Sequence, residues 1–188
     1  SFVMSASGVM VAKHGNRAMS SSCGSADVLE ALGVDIGVAA SVMEDSLKRI
    51  GIGFLYAPLY HPALGKVALI RREMGVRTIF NILGPLCNPA FATNQLLGVY
   101  SPGLVETIAR VLRKLGTRKS LVVCGKDLKD EITLTGLTQA CLVQGKKLTK
   151  LSLAPSSFGL KKINIKDILV NNAKESAAMV KGVLNGDR

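Results

Sequence analysis

Thirteen residues near the N-terminus, Lys13-His14-Gly15-Asn16-Arg17-Ala18-Met19-Ser20-Ser21-Ser22-Cys23-Gly24-Ser25, bring together two cations, two glycines and four serines. Each part suits an anion. Lys13 offers a point charge and Arg17 a planar fork that matches phosphate oxygens. Serine hydroxyls and loop N–H groups donate hydrogen bonds, and a helix starting near Ser25 adds the positive end of its dipole. A plain Gly/Ser-rich loop capping a helix has the same composition, so both readings stand at this point. The segment matches neither the Walker pattern nor GxGxxG.

Three further groups have chemical potential. In Arg77–Ala90, Gly84-Pro85 and Asn88-Pro89 predict a stiff, non-regular loop, which serves either as an apolar pocket wall or as a simple connection. Asp130-Glu131 follows the apolar strand Leu121–Cys124. Beyond a strand's C-terminal end two neighbouring carboxylates can converge, where parallel sheets bind ligands, and such a pair suits Mg²⁺. An acidic surface pair has the same sequence. His61 and Arg71 lie around one expected helix, where capping and solvation are their ordinary roles.

Positioning these groups requires an alternation of strands and helices. The apolar stretch from Ser1 predicts a buried helix running into a strand at Val9–Ala12. Asp27 and Glu30 have capping-box spacing before a short helix that ends at Gly33. Val38–Ile50 has helical period, Gly53–Ala57 reads as a strand, and Pro62 opens a helix ending near Met74-Gly75. Gln95–Tyr100 and Ser120–Cys124 read as strands around a helix at Leu104–Leu115. Ile132–Val143 and Lys147–Leu153 read as antiparallel strands joined near Gly145, and Ala173–Leu184 as a last helix. The pattern predicts one α/β domain over residues 1–188, with a mixed, largely parallel central sheet flanked by helices.

Composition narrows the function classes. The chain carries 24 Lys+Arg against 13 Asp+Glu, a formal charge of +11, with 48% apolar and 4% aromatic residues. The excess lies outside the Lys13–Ser25 loop, since residues 1–60 hold four basic and five acidic side chains. Basic residues come singly or in pairs without interleaved aromatics, so nucleic acid is not the expected partner. No apolar run reaches the roughly 18–20 residues of a membrane helix. The four Cys have no zinc-ligand spacing, and a reducing compartment is expected, the cytoplasm or an organelle stroma.

Together, KHGNR at 13–17, GSADVLEALG at 24–33, His61-Pro62-Ala63, NILGPL with Asn88-Pro89-Ala90, and Asp130-Glu131 resemble the anthranilate phosphoribosyltransferases, nucleoside phosphorylase-like transferases. The resemblance spans essentially the whole chain. It implies transfer of a phosphoribosyl group from phosphoribosyl pyrophosphate to the amine of anthranilate, a step of tryptophan biosynthesis, with Mg²⁺ as cofactor. By the same resemblance Lys13, His14, Gly15, Asn16, Arg17, Ala18, Met19, Ser20, Ser21 and Ser25 line the phosphoribosyl pyrophosphate site. Asn16, Arg71, His61, Gly84 and Pro85 border anthranilate, and Asp130 and Glu131 hold the metal. Neither His14 nor His61 is expected to act as a base. A non-catalytic nucleic-acid-binding relative and a nucleoside phosphorylase are the alternatives. The family's glycine-rich GTGGD loop and Asn-x-Ser-Thr segment precede the point where Ser1 stands, so the domain is expected to be incomplete at both ends. The full-length enzyme is expected to be a homodimer. Purified on its own, the 188-residue chain should show no useful transferase turnover with phosphoribosyl pyrophosphate, anthranilate and Mg²⁺. Robust turnover in a fluorescence assay of anthranilate consumption overturns that expectation.

Overall fold

The computed structural model describes residues 1–18, 23–66, 73 and 78–187, the side chain of Leu64 excepted. In chain order the elements are α1 (Phe2–Ala6), β1 (Val11–Gly15), α2 (Ser25–Ala31), α3 (Ala40–Ile50), β2 (Ile52–Tyr56), α4 (Ala57–Tyr60), α5 (Pro62–Lys66) and α6 (Phe80–Leu86). There follow β3 (Asn94–Gly98), α7 (Pro102–Lys114), β4 (Lys119–Gly125), β5 (Thr138–Gln144), β6 (Lys147–Leu153) and α8 (Ala173–Asn185). Single 3₁₀ turns lie at Pro155–Phe158 and Ile165–Asp167. The chain forms two compact units, residues 1–90 with 170–188, and residues 91–169. The class is α/β with mixed sheets flanked by helices, as expected, and each unit has its own sheet.

In the first unit β1 and β2 pair in parallel, from Val11 opposite Ile52 to Gly15 opposite Tyr56. Ala26, Ile36 and Phe54 form a buried cluster, against which Leu29 and Tyr56 pack. Helix α3 lies on β2, and α2 packs with α8. The end of α2 follows the expected chemistry, with Gly33 at φ +90° just beyond Leu32. Lys48 and Arg49 occupy the last turn of α3, as expected for its dipole.

Four sequence expectations are corrected here. The apolar sequence of helix α1 predicts burial, yet Val3 is 72% exposed. Five residues make little more than one turn, too short to lay an apolar stripe along a neighbour. Asp27 does not open a capping box with Glu30. The N-cap is Gly24, and Asp27 is the third helical residue, accepting from the Gly24 N–H at 2.8 Å. The strand begins at Val11 and runs to Gly15, two residues later than expected. The stiff loop around Gly84-Pro85 is instead helix α6, with Pro85 inside it. Pro85 sits next to the end of a seven-residue helix, where few bonds depend on its missing N–H. Its predecessor Gly84 has no Cβ to clash with the proline ring. Helix α4 is not predicted by the sequence pattern, and the end of the helix placed at Met74-Gly75 lies outside the described residues.

In the second unit β3 runs parallel to β4, from Asn94 opposite Lys119 to Gly98 opposite Val123. Strands β5 and β6 then add antiparallel. Helix α7 covers β4 and β5, burying Val105, Ile108, Ala109 and Leu112. Val122, Val123, Cys124, Ala140, Cys141 and Val143 are buried within the sheet, alternate residues on opposite faces. Residues 132–137, expected to be strand, are irregular. The cause is local: the Thr133 N–H donates to Thr138 Oγ1 and the Thr135 N–H to Thr133 Oγ1, each at 3.0 Å. These side-chain bonds take donors that a ladder would need.

The loop after β4 lies directly on two strand ends. A Cβ on Gly98 would overlap the Asp130 carbonyl outright, and one on Gly125 would come within 2.7 Å of the Glu131 carbonyl oxygen. Only glycine admits backbone this close. Gly98→Ala should therefore cost about 2–3 kcal/mol, the range of an overpacked site. Denaturant unfolding checks this, and a change below about 0.5 kcal/mol would show that the loop yields freely.

Candidate functional site

The Lys13–Ser25 segment leaves β1 and enters α2. Lys13 lies mid-strand opposite Phe54, and its backbone is held in the parallel pair. Gly15 is fixed by crowding, since a Cβ there would meet Ser25 Oγ and come within 2.8 Å of the Phe54 ring. Gly24 is equally tight, with the Arg17 carbonyl carbon at 2.6 Å and the Asn16 carbonyl oxygen at 2.8 Å from such a Cβ. The chain thus doubles back upon itself at residues 16–18 and 24–26. The Ala26 N–H closes the fold by donating to the Asn16 carbonyl at 3.3 Å.

Asp27 organises this turn. Its Oδ2 accepts from the Ala18 N–H at 3.0 Å and the Gly24 N–H at 2.8 Å, and its Oδ1 from Arg17 Nη1 at 3.2 Å. The two backbone donors hold its carboxyl below the ordinary 3.8, with Arg17 adding to the effect. A lowered carboxyl pKa stabilises the fold at pH above the ordinary value, and that contribution is lost as pH falls through the folded value. Arg17 is exposed but engaged. Its Nη1 and Nη2 grip both oxygens of Glu30, and its Nε donates to the Tyr56 hydroxyl at 3.2 Å. These partners push the guanidinium pKa further up. Asn16 is exposed, with its Oδ1 accepting from the Arg17 N–H. Met19, Ser20 and Ser21 lie outside the described residues.

A second group gathers at the other side of β1. His14 Nε2 lies 3.1 Å from His61 Nε2, the rings meeting edge to face at 5.0 Å. The Gly84 backbone also lies close enough to the His14 ring to act on it. Three residues far apart in sequence, on β1, before α5 and in α6, therefore meet. Burial lowers the His14 pKa from 6.5 and the His61 ring lowers it further, against the opposing effect of the Gly84 backbone. His14 is consequently a neutral ring at physiological pH, a hydrogen-bonding wall rather than a cation. Pro85 is exposed beside Gly84. Arg71 lies outside the described residues. Pro89 and Ala90, with Tyr60, Leu55 and Met43, line an open apolar depression, so this part of the loop does supply a wall.

Asp130 and Glu131 belong to the second unit, exposed in the loop beyond β4. Their backbones rest on Gly98 and Gly125, at the C-terminal ends of the two parallel strands. The donors are hard carboxylate oxygens, and among the described residues no group of three or more His, Cys, Asp or Glu side chains gathers to hold a metal. A pair of carboxylates is a donor set that suits Mg²⁺, which keeps waters and takes phosphate oxygens.

Residue types alone do not single out Asp27, Glu30, Tyr56 or Asn88 as parts of the site. An acid in the first turn after a glycine-rich loop is the available signal for Asp27, because loop N–H groups there need an acceptor. Asn88 precedes Pro89, and its side chain accepts from the Ala90 N–H while its Nδ2 donates to the Ala12 carbonyl at 3.1 Å. That second bond ties the loop to β1.

The profile of the glycosyl transferase family, a/b domain, matches residues 1–188. The chain belongs to this family. It is 53% identical over 187 residues to an anthranilate phosphoribosyltransferase of Geobacter sp. (strain M21), covering 98% of this chain and 53% of that protein. It is 49% identical to the one from Lachnoclostridium phytofermentans, covering 100% of this chain and 56% of the relative. The chain thus spans about half the length of these curated relatives. Among solved structures, the Thermus thermophilus anthranilate phosphoribosyltransferase superposes with a TM-score of 0.90 at 42% identity, over 99% of this chain and 55% of that one. The Saccharomyces cerevisiae enzyme, in complex with PRPP and Mg, gives 0.83 at 32% identity, over 95% and 50%. The described α/β architecture is therefore shared with both solved relatives.

His14 should titrate below 6.5, and His61→Asn should move it part of the way back, because burial remains when the second ring is gone. Imidazole proton shifts followed from pH 4 to 9 read this directly. The lowered pKa also means that stability is full above about 6.5, declines as pH falls below it, and levels off beneath the folded value. A His14 that titrates at 6.5 in the parent protein contradicts the burial argument.

Proposed function

We propose that this domain forms part of an enzyme that transfers a phosphoribosyl group from phosphoribosyl pyrophosphate to the amine of anthranilate, releasing pyrophosphate. The observation that carries the reading is the meeting of His14, His61 and Gly84 beside the glycine-tight Lys13–Ser25 turn. The names borne by relatives of 53% and 49% identity support it. So does the yeast relative solved with PRPP and Mg.

In this reading Lys13, the loop N–H groups and the serines Ser20, Ser21 and Ser25 receive the phosphates. Arg17 holds the turn through Glu30 and contributes its charge from there. His14, His61, Asn16 and the Gly84-Pro85 corner border the aromatic ring, with Arg71 pairing to its carboxylate. The amine nitrogen forms a bond to C1 of the ribose as the bond from C1 to pyrophosphate breaks, and the surplus amine proton goes to solvent. An arylamine is a free base at neutral pH, so the neutral His14 fits a positioning role and no strong base is required. Mg²⁺ held by Asp130 and Glu131 would supply charge neutralisation at the pyrophosphate. The acceleration then rests on alignment and charge. The whole enzyme would act as a homodimer in the cytoplasm. Among the described residues no helix is long and apolar enough to cross a membrane.

In the gene product assayed by anthranilate fluorescence, Arg71→Ala should raise the anthranilate KM about tenfold or more with little change in that for phosphoribosyl pyrophosphate, the loss of a charge-assisted hydrogen bond. Unchanged anthranilate KM overturns the assigned pocket.

A further inference from the structure

The loop that carries Asp130 and Glu131 is closed by a chain of hydroxyl groups. Thr135 Oγ1 lies 2.7 Å from Asp127 Oδ2 and 2.6 Å from Thr133 Oγ1. A carboxylate only accepts, so the Thr135 hydroxyl donates to Asp127. Its oxygen is then the acceptor for the Thr133 hydroxyl. Thr133 Oγ1 in turn accepts the Thr135 N–H, while the Thr133 N–H donates to Thr138 Oγ1. Each hydroxyl proton of this pair has one place, and the chain runs in one direction, from Thr133 through Thr135 to Asp127. Thr133, Thr135 and Thr138 are 2%, 5% and 0% exposed, so water meets this chain only at its exposed Asp127 end. The Lys126 N–H donates to the Leu137 carbonyl at 3.0 Å, closing the base of the same loop.

Asp130 and Glu131 lie between the two ends of this chain. One side is fixed by Asp127, the other by Thr133, and the middle rests on Gly98 and Gly125. Mg²⁺ demands near-ideal octahedral geometry, and two exposed carboxylates meet that demand only if their backbone is held. Partners that orient a ligand commonly change metal affinity by 10- to 100-fold when removed. We propose that the Thr133–Thr135–Asp127 chain holds Asp130 and Glu131 in the geometry that binds a divalent cation, which makes Thr135 a positioning residue of that site. The inference rests on the metal role given above to the two carboxylates.

The test is Mn²⁺ binding to the 188-residue chain, read from the electron paramagnetic resonance signal of free Mn²⁺, with circular dichroism reporting that each variant is folded. Thr135→Val keeps the shape and removes the hydroxyl, and should weaken Mn²⁺ binding about tenfold. Thr135→Ser restores the hydroxyl and should restore affinity. Asp127→Ala, at an exposed position, should weaken binding to the same extent, and the double variant with Thr135→Val should lose no more than either alone. Should Thr135→Val fail to fold, Asp127→Ala and Thr135→Ser carry the comparison. If Asp130→Asn with Glu131→Gln abolishes binding while Thr135→Val and Asp127→Ala bind as the parent does, the positioning role is refuted and the carboxylate site stands. If the parent does not bind millimolar Mn²⁺, or the paired carboxylate variant binds unchanged, the carboxylate site itself is refuted and the positioning role with it.

Discussion

The first unit turns on one carboxylate. A helix start leaves backbone N–H groups without partners, and a loop doubled against it adds more. Asp27 accepts from two of them, one on each side of the doubling, and from Arg17 as well. Gly24 and Gly15 allow the two passes of chain to touch. Arg17 is consequently part of the internal balance. Its fork faces Glu30, as planar guanidinium and carboxylate do when geometry permits. The cation that looks most like a phosphate ligand in sequence is the one the fold uses as a strut, and the proposed anion binding would rest more heavily on the loop's neutral donors and Lys13.

The second unit solves a similar problem with different groups. There too a loop follows the C-terminal end of a strand in a parallel pair, and there too glycines let backbone lie against strand ends. Threonine hydroxyls take the place of Asp27, satisfying N–H groups that leave the ladder early. The exposed acids Asp130 and Glu131 sit on a support whose threonine hydroxyls are buried and paired, which is the arrangement in which polar networks rigidify rather than weaken a fold.

Helices with strong local signals are legible in the sequence. The last turn of α3, the glycine end of α2 and the long amphipathic α7 all lie within two residues of expectation. What the sequence hides depends on contacts distant along the chain or on exceptions to a local rule. Pro85 breaks most helices, and a glycine before it near a helix end removes the reason. Ile132–Leu137 has strand composition, but Thr133 and Thr135 compete for the backbone. Of the candidate site, the residue types of the Lys13–Ser25 loop and the acidic pair are visible. The His14–His61 contact is not, since neither residue carries any mark of the other, and Asp27 looks like a cap because its partner Ala18 lies nine residues back.

The Asn88 bond to Ala12 spans 76 residues, and the parallel pair it reaches joins strands about forty residues apart. By contrast, β5 and β6 are joined by a tight hairpin turn and β4 pairs with its immediate successor. The entropy of loop closure therefore falls unequally on the two units. The acidic loop belongs to the unit whose topology is cheap to assemble, and the histidine pair and Lys13–Ser25 loop to the one that must wait for distant segments to meet.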